Sequence, residues 1–106
     1  MALARFNVPK TVQAGVPFEV KVLIQHPMES GQRRDARGRP IPRDIVHAFT
    51  CTCNGELVLR VALFPAIAAN PFLAFHVVAK ESGTLEFAWE DDQGGRHRET
   101  VPITVA

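Results

Sequence analysis

Cys51 and Cys53 are the only cysteines of the 106-residue chain, and Thr52 alone separates them. Thiols at this spacing suggest three chemistries. A disulfide fits poorly, because residues i and i+2 of an extended strand lie about 6.5–7 Å apart at Cα and share a face, so neither points at the other. A metal centre would join the cysteines to His47 or His76 in a cupredoxin-like protein. Blue copper needs two histidines, one cysteine and a weak axial ligand, mostly gathered on one loop. Here the sulfurs fall inside a strand, and no histidine or methionine follows them closely. Structural zinc prefers four ligands and wider cysteine spacing. The third reading is preferred: cysteine acts as a small apolar core residue. A further reading places one thiol at a partner interface.

The remaining chemistry-bearing residues are dispersed. His26 precedes Pro27, His47 opens a strand, His97 follows a hairpin tip, and His76 lies in the most apolar segment. His76 is expected to be a buried, neutral, hydrogen-bonded core histidine. Glu90, Asp91 and Asp92 cluster at a turn, where carboxylates are commonly just solvated. No phosphate loop, nucleophile elbow or zinc-protease signature is present. No catalytic residue, cofactor or metal is expected, and the chain reads as a binding module, with a stand-alone β-sandwich as one form of it.

The stretch "HPMESGQRRDARGRPIPRDI", 26–45, is the exception to that blandness. It sets Arg33, Arg34, Arg37, Arg39 and Arg43 against Glu29, Asp35 and Asp44. Structureless loops beyond about 12–15 residues are functional or disordered. Gly31, Gly38 and the charge density favour disorder. Pro40 and Pro42 restrict the chain and lower the entropy cost of ordering it, which favours function. Arginines suit bidentate capture of carboxylates or oxyanions. Against this, Asp35 and Asp44 pairing with neighbouring arginines would stabilise little. The candidate docking residues are Arg33, Arg34, Pro40, Pro42, Arg43 and Asp44.

These residues need a scaffold, and the pattern predicts strands. "RFNV", 5–8, reads as the first. "VPFEVKVLIQH" alternates, with Phe18, Val20, Val22 and Ile24 on one face. Asn54-Gly55 predicts a type I′ hairpin. Its first strand would set Ile45, His47, Phe49, Cys51 and Cys53 on one face, and its second would run over 56–64. In "PAIAANPF", 66–70 could form one helical turn. "FLAFHVVAK", 72–80, is apolar on both faces and is expected at the centre of a sheet. Leu85, Phe87 and Trp89 alternate inward, 91–95 forms a hairpin tip, and Pro102 suits an edge strand. About seven antiparallel strands in one domain, 1–106, fit an all-β, immunoglobulin-like β-sandwich.

The bulk numbers agree with a soluble globular chain: 46% apolar and 22% charged. A net charge of +1 gives no general attraction for nucleic acid or membranes, so any basic patch must be local. No apolar run approaches the ~20 residues of a membrane span. "MALARFNVPK" has no signal-peptide core, which points by default to the cytoplasm but leaves room for export with a signal-bearing partner.

The arginine stretch, "CNGELVLRVALFPAIAANPFLAFHVVAKESGTLEFAW" and the strand before them resemble the SoxZ family of bacterial thiosulfate oxidation. The resemblance spans nearly the whole chain. Cys53 departs from it, standing where an aromatic residue is expected, and "GGRHRET" is not diagnostic. The resemblance implies an immunoglobulin-like, non-catalytic subunit of the SoxYZ carrier. Its partner SoxY would hold sulfur intermediates covalently on the cysteine of a C-terminal Gly-Gly-Cys-Gly-Gly arm. The complex would be a heterodimer or larger, and would visit a cytochrome that attaches thiosulfate, a hydrolase that removes sulfate and a sulfane dehydrogenase. It further implies a periplasmic site, reached together with SoxY. The ending "VPITVA" carries no such cysteine arm, which fits the Z subunit rather than Y. On this reading Arg33, Arg34 and Arg43 would face sulfonate or sulfate groups, or acidic patches of partners.

Overall fold

The computed structural model describes residues 3–65 and 67–106, and what they form is all β. The strands are β1 (Leu3–Asn7), β2 (Thr11–Val12), β3 (Phe18–Gln25), β4 (Val46–Cys53), β5 (Glu56–Ala62), β6 (Phe72–Val77), β7 (Gly83–Asp91) and β8 (Arg96–Val105). They make a three-stranded sheet, β1-β3-β6, and a five-stranded sheet, β2-β8-β7-β4-β5. The sandwich expected from the alternating pattern is present. Its extra element is β2, two residues pairing in parallel with Thr104 and Val105 of β8, too short to leave a periodic signature.

Alternation places the core. Phe18, Val20, Val22 and Ile24 of β3 face Phe49, Cys51 and Cys53 of β4 and Leu85, Phe87 and Trp89 of β7 in one buried cluster. Burying each large apolar side chain stabilises by about 1.5–3 kcal/mol. Phe6 joins from β1, its ring centroid 4.5 Å from that of Phe87. The β4–β5 turn is as predicted, with Asn54 at φ 51° and Gly55 at φ 83°, the two positive values a type I′ turn requires. Since β2 reaches only Thr104 and Val105, Pro102 sits on a stretch of β8 with one open side.

Four expectations are corrected. β6 is an edge strand, not a central one. Its inward residues are Leu73, Phe75 and Val77, while Phe72, Ala74 and His76 face outward beside Leu23, Lys21 and Glu19 of β3. His76 is therefore exposed rather than a core histidine. In β4 the register shifts between Val46 and Ala48, so Val46 and Phe49 both point inward and His47 turns away from the core. The helical turn expected over 66–70 includes Ala66, which lies outside the described residues, and 67–70 is not helical. Asn70 there takes a left-handed φ of 55°. It clasps the end of β3, with its Oδ1 accepting from the His26 N–H at 3.0 Å and its own N–H donating to the His26 carbonyl at 2.8 Å.

Candidate functional site

The arginine stretch is a folded arm. Glu29 pairs with Asp44, and Arg34 with Pro40, in two antiparallel bridges that run it out and back as a narrow hairpin. The Glu29 N–H donates to the Asp44 carbonyl at 2.8 Å, and the reverse bond is 2.9 Å. Near the tip, Asp35 Oδ1 accepts from the N–H groups of Arg37 and Arg39 at 2.9 and 3.0 Å. This is the local side-chain turn that aspartate favours. Gly38 supplies the left-handed corner at φ 77°. Arg34 Nη1 donates across the turn to the Gly38 carbonyl at 2.8 Å. Residues 31–40 are all exposed, so the arm stands clear of the sandwich. The molecule is correspondingly long, 58 × 20 × 20 Å, with a radius of gyration of 16.1 Å. A compact chain of this length would have about 13 Å.

The base of the arm is tied at two points. Met28 is buried at a left-handed φ of 53°. Such a conformation costs a bulky residue about 1–3 kcal/mol and persists only where its surroundings demand it. Here its N–H donates to His26 Nδ1 at 3.0 Å, and its sulfur accepts from the Val46 N–H at 3.3 Å. The second tie is Asp92. Arg43 donates to it through Nε and Nη2 at 2.7 and 2.8 Å, a bidentate fork. The Ile45 N–H donates to the same carboxylate at 3.1 Å, and His47 Nδ1 lies 3.2 Å from it. The Asp92 side chain is only 13% exposed. Burial alone would raise its pKa. The hydrogen bonds from Arg43 and Ile45, the Arg43 charge and the contact with His47 outweigh burial and hold it below the usual carboxylate value.

The candidate residues thus occupy distinct places. Arg43 locks the base, and Asp44 is partly buried there, 3.6 Å from His26 Nε2. Arg34 and Pro40 form the outer bridge. Pro42 is exposed on the returning limb. Arg33 pairs with Glu29 at 3.4 Å, and Arg39 with Asp35 at 3.4 Å, both guanidinium groups about two-thirds exposed. Arg37 makes no ion pair among the described residues. Asp92 was expected to be a solvated turn residue and is instead the hub. It lies 49 residues from Arg43, so no local pattern announces it.

The structure does not bring the cysteines together with His47 or His76. Both thiols are free and face the core, whereas His76 points out of the opposite sheet and His47 turns to Asp92. Burial, then Cys53, pushes the Cys51 thiol up to about 12. Burial and Glu56 raise that of Cys53. Among the described residues, the one group close enough to hold an ion is His26, Asp44 and Asp91, with ligand atoms within 4.8 Å of one another. Its chemistry argues against ligation. The Met28 N–H must meet a lone pair on His26 Nδ1, so the neutral ring carries its proton on Nε2, the atom facing the carboxylates. His26 is a strut between the arm and the sandwich.

A second surface contrasts with the arm. Of the exposed large apolar side chains among the described residues, Leu57, Val58, Phe64, Ile67, Phe72 and Val78 fall on β5, β6, their connector or the residue after β6, and only Val16 lies elsewhere. Phe64 and Phe72 are 65% and 60% exposed. β5 and β6 are each an edge strand of their own sheet. Unpaired edges beside apolar side chains are templates for another chain.

Comparison with known proteins places this architecture. Solved structures with a similar fold include a superoxide reductase (neelaredoxin) from Ignicoccus hospitalis, 22% identical, with TM-score 0.70 over 97% of this chain and 80% of that one. A putative superoxide reductase from Thermotoga maritima is 14% identical, with TM-score 0.67 over 97% of this chain and 85% of that one. At such identities the likeness is one of fold alone. No curated protein matches the chain. The family described as "Sulphur oxidation protein SoxZ" matches residues 5–102, covering both the arm and the apolar side. The chain belongs to the SoxZ family of sulphur oxidation proteins.

Proposed function

We propose that this Sox subunit is the non-catalytic body of a two-chain sulfur carrier, whose SoxY partner bears the intermediates on a C-terminal cysteine arm in the periplasm. One observation carries the reading: both thiols of this chain are buried, and burial raises the pKa of each. The thiolate is the nucleophile, so a thiol pushed up to about 12 is inert at neutral pH. A sulfur-oxidation subunit with no usable thiol suits the role of holding a chain that has one. The exposed residues around β5 and β6 supply an apolar surface of the kind partners cover.

Co-expression with a SoxY chain tests this. The pair is expected to elute together as a heterodimer or a larger assembly. This chain alone is expected to self-associate through its apolar side. A stable monomer that ignores SoxY would overturn the reading.

A further inference from the structure

We propose that the arm is a pre-ordered cationic probe that docks on an acidic surface of the proteins this subunit visits, with Arg33, Arg37 and Arg39 as its contact residues. The inference deepens the reading above and rests on it only for the identity of the visited proteins.

Charge is segregated along the chain. Residues 29–44, from one end of the base bridge to the other, hold five arginines against Glu29, Asp35 and Asp44, a net +2. The other residues hold seven basic against eight acidic side chains, a net −1. A near-neutral protein thus carries its net positive charge on one projecting element. Such an arrangement orients an approaching acidic surface and raises association rates about 10- to 1000-fold.

Order makes the charge usable. Arg43 and Arg34 are engaged within the arm and its base, by Asp92 and by the Gly38 carbonyl. Their role is to hold the hairpin. With the hairpin already folded, binding need not pay the ordering entropy of a floppy loop. Arg37 is free of ion pairs among the described residues, while Arg33 and Arg39 hold exposed, weak pairs that a stronger acidic partner can displace.

The same features select the occupant. A small oxoanion would meet guanidinium groups that stand in solvent, with no buried donor around it, where screening leaves little affinity. Nucleic acid fits poorly. Asp35 interrupts the arginines, and residues 29–43 contain no aromatic side chain to stack on a base. Arginines mixed with carboxylates suit a protein surface.

The test uses the chain bound to SoxY and, separately, the chain alone, each with the cytochrome, hydrolase and dehydrogenase of the Sox system. The variants are Arg33→Ser/Arg37→Ser/Arg39→Ser and the milder Arg37→Glu, which leave Arg34, Asp35 and Arg43 in place. At about 0.01 M salt, where the Debye length is about 30 Å, the triple variant is expected to associate with at least one enzyme about tenfold more slowly than wild type. Near 1 M salt that difference is expected to vanish. SoxY affinity should be unchanged. Wild-type rates that ignore salt for all three enzymes, or a triple variant as fast as wild type at low salt, would overturn the arm's role. Tight binding of duplex DNA at about 0.15 M salt, abolished in the triple variant, would overturn it in favour of nucleic acid. Loss of SoxY binding by wild type counts against the carrier reading instead, and the chain-alone rates still decide the arm.

Discussion

The β4–β5 hairpin and the arginine arm are held by opposite means. In the first, Phe49, Cys51 and Cys53 point into the core, and Asn54-Gly55 closes the turn from within. In the second, residues 31–40 touch water, and Asp92, His26 and Met28 hold the base from outside. The difference is instructive about where chemistry can lie. The hairpin with the reactive residue types buries them, and burial raises the pKa of both thiols. The arm with commonplace residue types presents fixed charge because a distant carboxylate orders it.

That contrast can be broken at several strengths. Phe49→Ala in the buried hairpin should be the most damaging change. Phe49 is fully buried, and such truncations cost about 3–5 kcal/mol. Thermal unfolding should shift down by about 12 °C or more. An unchanged transition would mean the core is not where the sheets place it. Next comes Asp92→Ala. It removes a charge-assisted fork and leaves the Ile45 N–H without its side-chain acceptor, at a cost of about 1–3 kcal/mol. Its signature is local: amide exchange should accelerate at Ile41 and Asp44 on the arm and stay slow at Phe87 on β7. Uniform acceleration would make Asp92 a general stabiliser rather than the arm's anchor.

Acid should reproduce the Asp92 effect reversibly. The carboxyl is held below its unfolded value of about 3.9. Its stabilisation is therefore complete above that pH and is lost as pH falls further, through the folded value. Protection of the arm amides, corrected for the pH dependence of intrinsic exchange, should hold from pH 6 down to about 4 and be lost only below that; protection already lost well above pH 4 would contradict the Asp92 tie. The cysteines give a sharper test of the buried hairpin. Both Cys51 and Cys53 should react far more slowly with a thiol reagent at pH 8 in the folded protein than in the unfolded one, and Cys53, which lines a cleft with Glu56 and Val58, should react before the fully buried Cys51. Fast modification of both in the folded state would remove the argument for their inertness. The smallest effect belongs to Arg33→Ala. Its exposed pair with Glu29 should change stability by no more than about 1 kcal/mol in denaturant titration.

The legible parts of this fold were those written locally. The alternation of Phe18, Val20, Val22 and Ile24, that of Leu85, Phe87 and Trp89, and the Asn54-Gly55 turn each specify geometry within a few residues. What depends on distant residues was not legible. The inference that 72–80 is central treats apolar residues on both faces as buried on both faces. Phe72 and Val78 are instead exposed. A pattern cannot separate burial by the same chain from burial by another. Likewise, the arm's arginines were visible as a group, but nothing local distinguishes Arg43, bound to Asp92, from Arg37, free of ion pairs among the described residues. The register shift that turns His47 from the core is equally silent, since it is set by pairing with β7.

The most direct measurement exposes the co-purified pair of this chain and SoxY to thiosulfate and the attaching cytochrome, then maps sulfur adducts on every cysteine by mass spectrometry. Adducts are expected on the SoxY arm cysteine, with Cys51 and Cys53 unmodified. Sulfur carried on either residue of this chain, or turnover by this chain without SoxY, would contradict it.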